Sequence, residues 1–255
     1  MLALIAFLFT AVAVGIFGYR SFELFKKISK GQSDPSRFNN KGKRFKNMVV
    51  EILSHTKMLN FTVTGFAHWF VMIGFVSLFG TLVTAYGQVI DPHFVLPLIG
   101  HFVPYNFFVE LITWLTGIGI VTLIAIRQIT RITNKGKSSR FFGSGTWKAY
   151  FVEATILAIV FFVIALRGLE GALLGEKAKP WEFALSQPAV NAFADLDVPT
   201  LENWIVIVAA LKIIVSMTWF IVVAANLTMG VAWNRFLAPF NIFYRRNADG
   251  TSSLG

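Results

Sequence analysis

Apolar residues gather in five long stretches, near Leu2–Tyr19, Asn60–Gly87, Tyr105–Ile126, Ala149–Leu166 and Trp204–Trp233, and polar residues gather between them. The hydrocarbon core of a bilayer is about 30 Å thick and takes roughly 20 apolar residues of helix to cross. Lipid offers no partner to a backbone N–H or C=O, so stretches of this kind are helices. The pattern predicts an all-α fold, a polytopic five-helix bundle in a membrane. Two connecting segments carry patterns of their own. Phe45, Met48, Val49, Ile52, Thr56 and Leu59 recur at helical spacing among Arg44, Lys46 and Lys57, which predicts an amphipathic helix on the inner membrane surface before the second span. Residues Pro188–Pro199 read as a short helix or turn between proline breaks. The fifth stretch, if it continues to Arg235, is long enough to project beyond the bilayer.

Charge gives the bundle a direction. Ten Lys or Arg stand against three acidic residues from Arg20 to Lys57, six against none from Arg127 to Lys148, and Arg235, Arg245 and Arg246 lie in the tail. The alternate loops differ: Gln88–Pro104 has only Asp91, and Arg167–Asn203 has Glu170, Glu176, Glu182, Asp195, Asp197 and Glu202 against three basic residues. Basic residues concentrate in cytoplasmic loops, so this alternation predicts an amino terminus outside and a carboxyl terminus in the cytoplasm. A basic residue ahead of the first apolar run is lacking, which predicts a retained helix and not a cleaved signal.

Composition agrees with this picture. The chain of 255 residues is 55% hydrophobic and 14% charged, with 27 phenylalanines, which is not how a soluble domain of this size reads. The net charge of +10 suggests nucleic acid at first sight, but the basic residues are juxtamembrane, so nucleic-acid binding is set aside. There is no cysteine, hence no disulfide and no thiolate-held iron–sulfur cluster in this stretch.

Chemistry must then sit where polar residues interrupt apolar helices. His68 lies about eight residues into the second stretch, in Gly65-Phe-Ala-His68-Trp69. A buried ionisable residue is costly in a membrane and marks function by default. Three readings stand: an axial ligand of b-type haem, a neutral histidine bonded to a neighbouring helix, or a proton or quinone site. His55 is the second candidate haem ligand or an interfacial residue. Thirteen helical steps put it about 220° around and about 20 Å along the axis from His68, so one haem cannot use both, though two stacked haems can use one each. Lys212 lies about eight residues inside the fifth stretch and has to pair, with Glu110, a haem propionate or a quinone carbonyl, or else snorkel to the surface. Lys212, Met217 and Met229 are weaker haem-ligand candidates. Lys212, Glu110 and His101 are candidates for quinone binding or proton supply, as is His68. His93 and His101 also read as plain loop histidines. Glu153 is placed to pair with an arginine of an inner loop, and Arg167 with Glu170 at the rim.

Several of these segments together resemble a known family. His55-Thr-Lys-Met, Gly65-Phe-Ala-His68-Trp-Phe-Val-Met-Ile-Gly-Phe, Arg140-Phe-Phe-Gly-Ser-Gly-Thr-Trp147, Leu166-Arg-Gly-Leu-Glu-Gly171 and Pro239-Phe-Asn-Ile-Phe-Tyr are similar to the membrane domain of actinobacterial iron–sulfur oxidoreductases related to heterodisulfide reductase, among them the membrane-bound electron-transfer-flavoprotein dehydrogenases. The resemblance runs over essentially the whole chain. It implies a nitrate-reductase gamma-like transmembrane domain over residues 1–246, with 247–255 starting a cytoplasmic linker or tail. It further implies haem b, menaquinone as the electron acceptor, a cytoplasmic iron–sulfur domain or subunit bearing 4Fe-4S clusters outside this stretch, and electron-transfer flavoprotein as the donor in fatty-acid β-oxidation, all at the cell membrane. The gamma-subunit pattern places two histidines on the second span and two on the fifth. Here the fifth has none, and Lys212 and Met229 or Gly230 fall near the expected positions. Two other classes remain: a passive membrane anchor for an iron–sulfur subunit, and a transporter, which broken midplane helices would mark.

Overall fold

A computed structural model describes residues 1–56, 58–60, 62–100, 102–133, 146–178 and 181–251, without the side chains of 131–133. The described residues form helices joined by turns and loops, with no strand among them. In chain order the helices are α1 (Leu2–Ile28), α2 (Lys41–Ser54), α3 (Thr62–Ser77), α4 (Phe79–Gln88), α5 (Val103–Thr133), α6 (Thr146–Leu174), α7 (Gln187–Phe193), α8 (Val198–Ala225) and α9 (Gly230–Phe243). Five segments are long and apolar enough to cross a membrane: α1, α3 with α4, α5, α6 and α8. The chain is a multi-pass membrane protein by this measure, as the apolar pattern predicts.

Helix α8 sits at the centre and packs against α1, α4 and α6, while α5 lies between α3 and α6. Small residues make these approaches close, as they do between membrane helices generally. Ala6 and Ala13 of α1, with Ala209 and Ala210 of α8, are buried in one cluster with Ile205 and Ile213. Where α5 crosses α3, a Cβ on Gly119 would come within 2.8 Å of the Ala67 carbonyl oxygen, so only glycine allows that contact. Only 11% of the α1 window is buried. Its Leu4, Phe7, Leu8 and Val12 are exposed, a surface suited to acyl chains.

One end of the bundle carries the amino terminus, the 89–102 loop and the 175–197 segment; it is called the acidic end here. The other carries α2, α9 and the tail, and is called the basic end. At the basic end Arg44, only 2% exposed, donates to the carbonyls of Asn39, Phe243 and Arg245, and Asn47 donates to that of Ala248. Glu51 also accepts from Arg245. The start of the tail is thereby fastened to α2.

Three expectations change. The helix over 45–59 ends at Ser54, because His55 takes a left-handed conformation (φ 47°) and the chain turns back there. Phe45, Val50 and Leu53 of α2 are exposed. The fifth span does not run straight to Trp233 or Arg235. It stops at Ala225, a turn occupies Asn226–Met229, and α9 folds back against α2 and α6. Trp233 holds that turn: its Nε1–H reaches the Val223 and Asn226 carbonyl oxygens, each at 3.2 Å, and its ring stacks on Phe17 at 5.5 Å. The freed carbonyls of the helix end thus find a donor away from water. The second span is also interrupted, at Leu78, although no proline is present. There the Thr81 N–H bonds to Leu78 at 3.0 Å, a tightened turn, and the Thr81 hydroxyl takes the same carbonyl at 2.6 Å.

Candidate functional site

Lys212 marks the place where two cavities meet. It is 1% exposed, so it does not snorkel. Its Nζ donates to the Thr81 carbonyl at 2.9 Å and the Thr81 hydroxyl at 2.8 Å. The interruption of α3–α4 supplies both acceptors, and α8 presents the amine to them. An ammonium has three hydrogens, so one is left without a protein partner among the described residues. Glu110 is not the partner that the sequence suggests. Its Oε1 accepts from Arg167 Nε at 3.3 Å and its Oε2 from the Leu185 N–H at 2.8 Å. The reason is topological: α6 brings Arg167 beside α5, and the 181–186 segment brings the Leu185 N–H to the other carboxylate oxygen.

The first cavity lies toward the basic end and has a volume of about 260 Å³. That is close to the lower end of the range for small-molecule pockets, about 300 Å³. Its walls are apolar, from Phe75, Phe79, Ile156, Ile159, Trp219 and Phe220. Lys212 and Arg235 bring charge to it, and Thr116, Thr155 and Ser216 bring hydroxyls. The Arg235 guanidinium stands 4.6 Å from the Phe75 ring centre and 6.0 Å from that of Trp219, which holds it by cation–π attraction. Its NH1 is buried with no hydrogen-bond partner among the described residues. Lys212 and Trp219 are seven residues apart on α8, about 10 Å along its axis, so Lys212 and the aromatic groups that hold Arg235 line different depths of the cavity. Arg235 had no signal in the sequence beyond its place in a basic tail; only the fold-back of α9 carries it into the bundle.

The second cavity, about 60 Å³, lies toward the acidic end. Aliphatic side chains, Val95, Leu96 and Leu166 among them, line it together with the polar Thr84, Gln88, Tyr105, Asn106, Glu170 and Lys212. An ion-pair network forms one wall. Arg167 NH1 meets Glu170 at 3.0 Å, Gln88 Nε2 donates to Glu170 at 2.5 Å, and Arg167 also bonds the Glu182 carbonyl and lies 4.1 Å over the Phe183 ring. Arg167 with Glu170 is therefore a sunken hub and not a rim pair; the two side chains are 12% and 20% exposed. Glu153 pairs with Arg127 at 2.6 Å, as its position suggests.

The histidines come together in a way the helical arithmetic excludes. His55 and His68 have ring centres 5.3 Å apart and planes 30° apart. The arithmetic assumes one continuous helix, but the chain reverses at His55 and doubles back before α3. Gly65 makes this possible, since a Cβ there would lie 2.2 Å from the Met58 carbonyl oxygen. His55 Nδ1 lies 2.8 Å from the Ile52 carbonyl, and His68 Nδ1 is buried without a partner among the described residues. A single haem does not fit between these rings. A metal–nitrogen bond of about 2 Å on each side, plus the distance back to each ring centre, sets axial ligands further apart than 5.3 Å. Met217 packs in the α1–α8 cluster and Met229 against Val152, Val223 and Trp233, both within the hydrophobic core. His93 is exposed and pairs with Glu202 at 2.9 Å. His101 lies outside the described residues, as do Lys57 and most of the 140–147 segment. Compared with known proteins, the chain matches no family model, no curated protein and no solved structure.

Proposed function

We propose that this chain is the membrane component of an oxidoreductase that reduces a lipid-soluble quinone, and that the 260 Å³ cavity holds the quinone head group. The observation that carries the reading is the buried, unpartnered NH1 of Arg235 on an apolar cavity that Lys212 also lines. A buried donor without an acceptor costs about 1–3 kcal/mol, more when charged, so a ligand bearing an acceptor is favoured there. A quinone has an apolar ring and two carbonyl oxygens on opposite edges. Its ring suits Phe75, Phe79 and Trp219; its oxygens suit Arg235 and the spare hydrogen of Lys212. A ligand that lives in the bilayer reaches such a site from the side, without crossing the polar ends.

The family resemblance supplies the rest of the reading: menaquinone as the acceptor, electrons from reduced electron-transfer flavoprotein, and 4Fe-4S clusters of a cytoplasmic domain or subunit between them. With the amino terminus outside, the basic end faces the cytoplasm and that partner, with α2 at the inner membrane surface. Haem b would add a one-electron relay; the His55–His68 pair does not clasp one, and no step is assigned to it.

The test is a fluorescence titration of the purified chain in lipid nanodiscs with menadione, a tailless naphthoquinone. Saturable quenching that Trp219→Phe removes and that Arg235→Gln or Lys212→Met weakens about tenfold is the expected result. Quenching that grows linearly with menadione, or is the same in all three variants, rules the site out and leaves a passive anchor.

A further inference from the structure

The two cavities share a single residue, the charged Lys212. Two polar atoms of residues on the smaller cavity are buried with no partner among the described residues: the Tyr105 hydroxyl and Gln88 Oε1. They belong to different helices, α5 and α4, and neither is idle for want of room. The cavity's volume of about 60 Å³ is several times the 10–15 Å³ that one water requires, and a buried water needs two to four polar partners. Thr84, Asn106, Glu170 and the Lys212 amine supply further ones. Glu170, 20% exposed, borders this space, where it accepts from the buried Gln88 amide.

We propose that this cavity is a water-filled vestibule through which Lys212 exchanges protons with the solution at the acidic end. The proposal gives the quinone reading, on which its purpose rests, a side of the membrane for its protons. Reduction of a quinone to its quinol takes two electrons, here from the reduced iron–sulfur donor, and two protons, one for each oxygen. The Lys212 ammonium gives a proton to the oxygen that faces it and forms that O–H bond, leaving a neutral amine. Water in the vestibule returns a proton to the amine, drawn from the acidic-end solution by way of Glu170. Recharged by that water, the amine supplies the second proton in the same way once the remaining oxygen faces it, so both protons of the quinol come from the acidic-end solution. Thr81 holds the amine at the junction in both states, since a neutral amine keeps two hydrogens, enough for the Thr81 carbonyl and hydroxyl oxygens.

The absence of cysteine makes the vestibule directly testable. Single variants Thr84→Cys, Lys212→Cys, Ser216→Cys and Leu98→Cys are placed in sealed vesicles of phosphatidylcholine and phosphatidylglycerol. Each is treated from one side with a small, membrane-impermeant cationic methanethiosulfonate. Leu98 is fully exposed in the acidic-end loop and reports which side that is. Thr84→Cys and Lys212→Cys are expected to react from the Leu98 side only, and Ser216→Cys, which lines the apolar cavity, from neither. If Thr84→Cys stays unreactive while Leu98→Cys reacts, the vestibule is dry and the proposal falls; the Thr84 variant decides this even if Lys212→Cys does not fold. In membranes bearing the whole redox complex, reagent on Thr84→Cys should slow quinol formation at least tenfold relative to the same variant unlabelled, with unchanged affinity for added menadione. Labelling without any slowing overturns the proton role. Loss of menadione binding in the fluorescence titration, with labelling intact, counts against the quinone reading instead.

Discussion

Replacing Arg167 with methionine removes the centre of the acidic-end network while keeping most of the side chain's apolar length. Four contacts go at once: the ion pairs to Glu110 and Glu170, the bond to the Glu182 carbonyl and the stacking on Phe183. The Glu110 side chain is 0% exposed and keeps only the Leu185 N–H, so the substitution strands a carboxylate in the bundle. Breaking a buried pair from one side costs about 3–5 kcal/mol. The Arg167–Glu110 distance of 3.3 Å is long for a charge-assisted bond, which places the expected loss near the lower bound, about 3 kcal/mol. The exposed pair of His93 with Glu202 sets the contrast, and His93→Ala should cost less than about 1 kcal/mol. The assay is equilibrium unfolding in mixed micelles as the fraction of denaturing detergent rises, followed by circular dichroism. The double variant Arg167→Met with Glu110→Gln should recover more than about 1 kcal/mol relative to the sum of the single changes, because the stranded charge is gone. Strict additivity, or a loss for Arg167→Met as small as that for His93→Ala, would refute the account of Arg167 as the group that keeps Glu110 buried.

Other outcomes follow from particular contacts. Gly119→Ala should lower the thermal midpoint, since its Cβ meets the Ala67 carbonyl at 2.8 Å, whereas Gly18→Ala, with nothing within 4 Å, should leave it unchanged or raise it; a scan of the two variants compares them. Arg44→Ala should free the chain after Phe243 from α2, seen as faster hydrogen exchange over residues 243–251 with the spans still protected. Trp233→Ala should destabilise the protein by about 3–5 kcal/mol, through the lost aromatic core and the uncapped carbonyls of Val223 in α8 and Asn226 in the turn after it, measured in the same mixed micelles.

Residue pattern by itself determined the five membrane crossings, since helix is what lipid permits an apolar run of that length. The burial of Lys212 was within reach for the same reason: helical rise is fixed, so its position alone puts it well inside the fifth span. The pairing of Glu153 with Arg127 was also within reach, because both lie near the same end of adjacent spans. Which groups face each other was not legible. Lys212 found Thr81 and not Glu110, because its partner was created by an interruption in another helix, at a residue with no proline to announce it. His55 and His68 met because one residue took a left-handed conformation and Gly65 admitted a backbone beside it. Arg235 entered the apolar cavity because α8 ended ten residues before it and the chain folded back, a break that rests on Trp233 reaching carbonyls it meets only after folding. Local pattern sets what a segment is, through hydrogen bonding and solvent. Contacts between distant segments set where its side chains point, and those depend on the packing of the whole bundle.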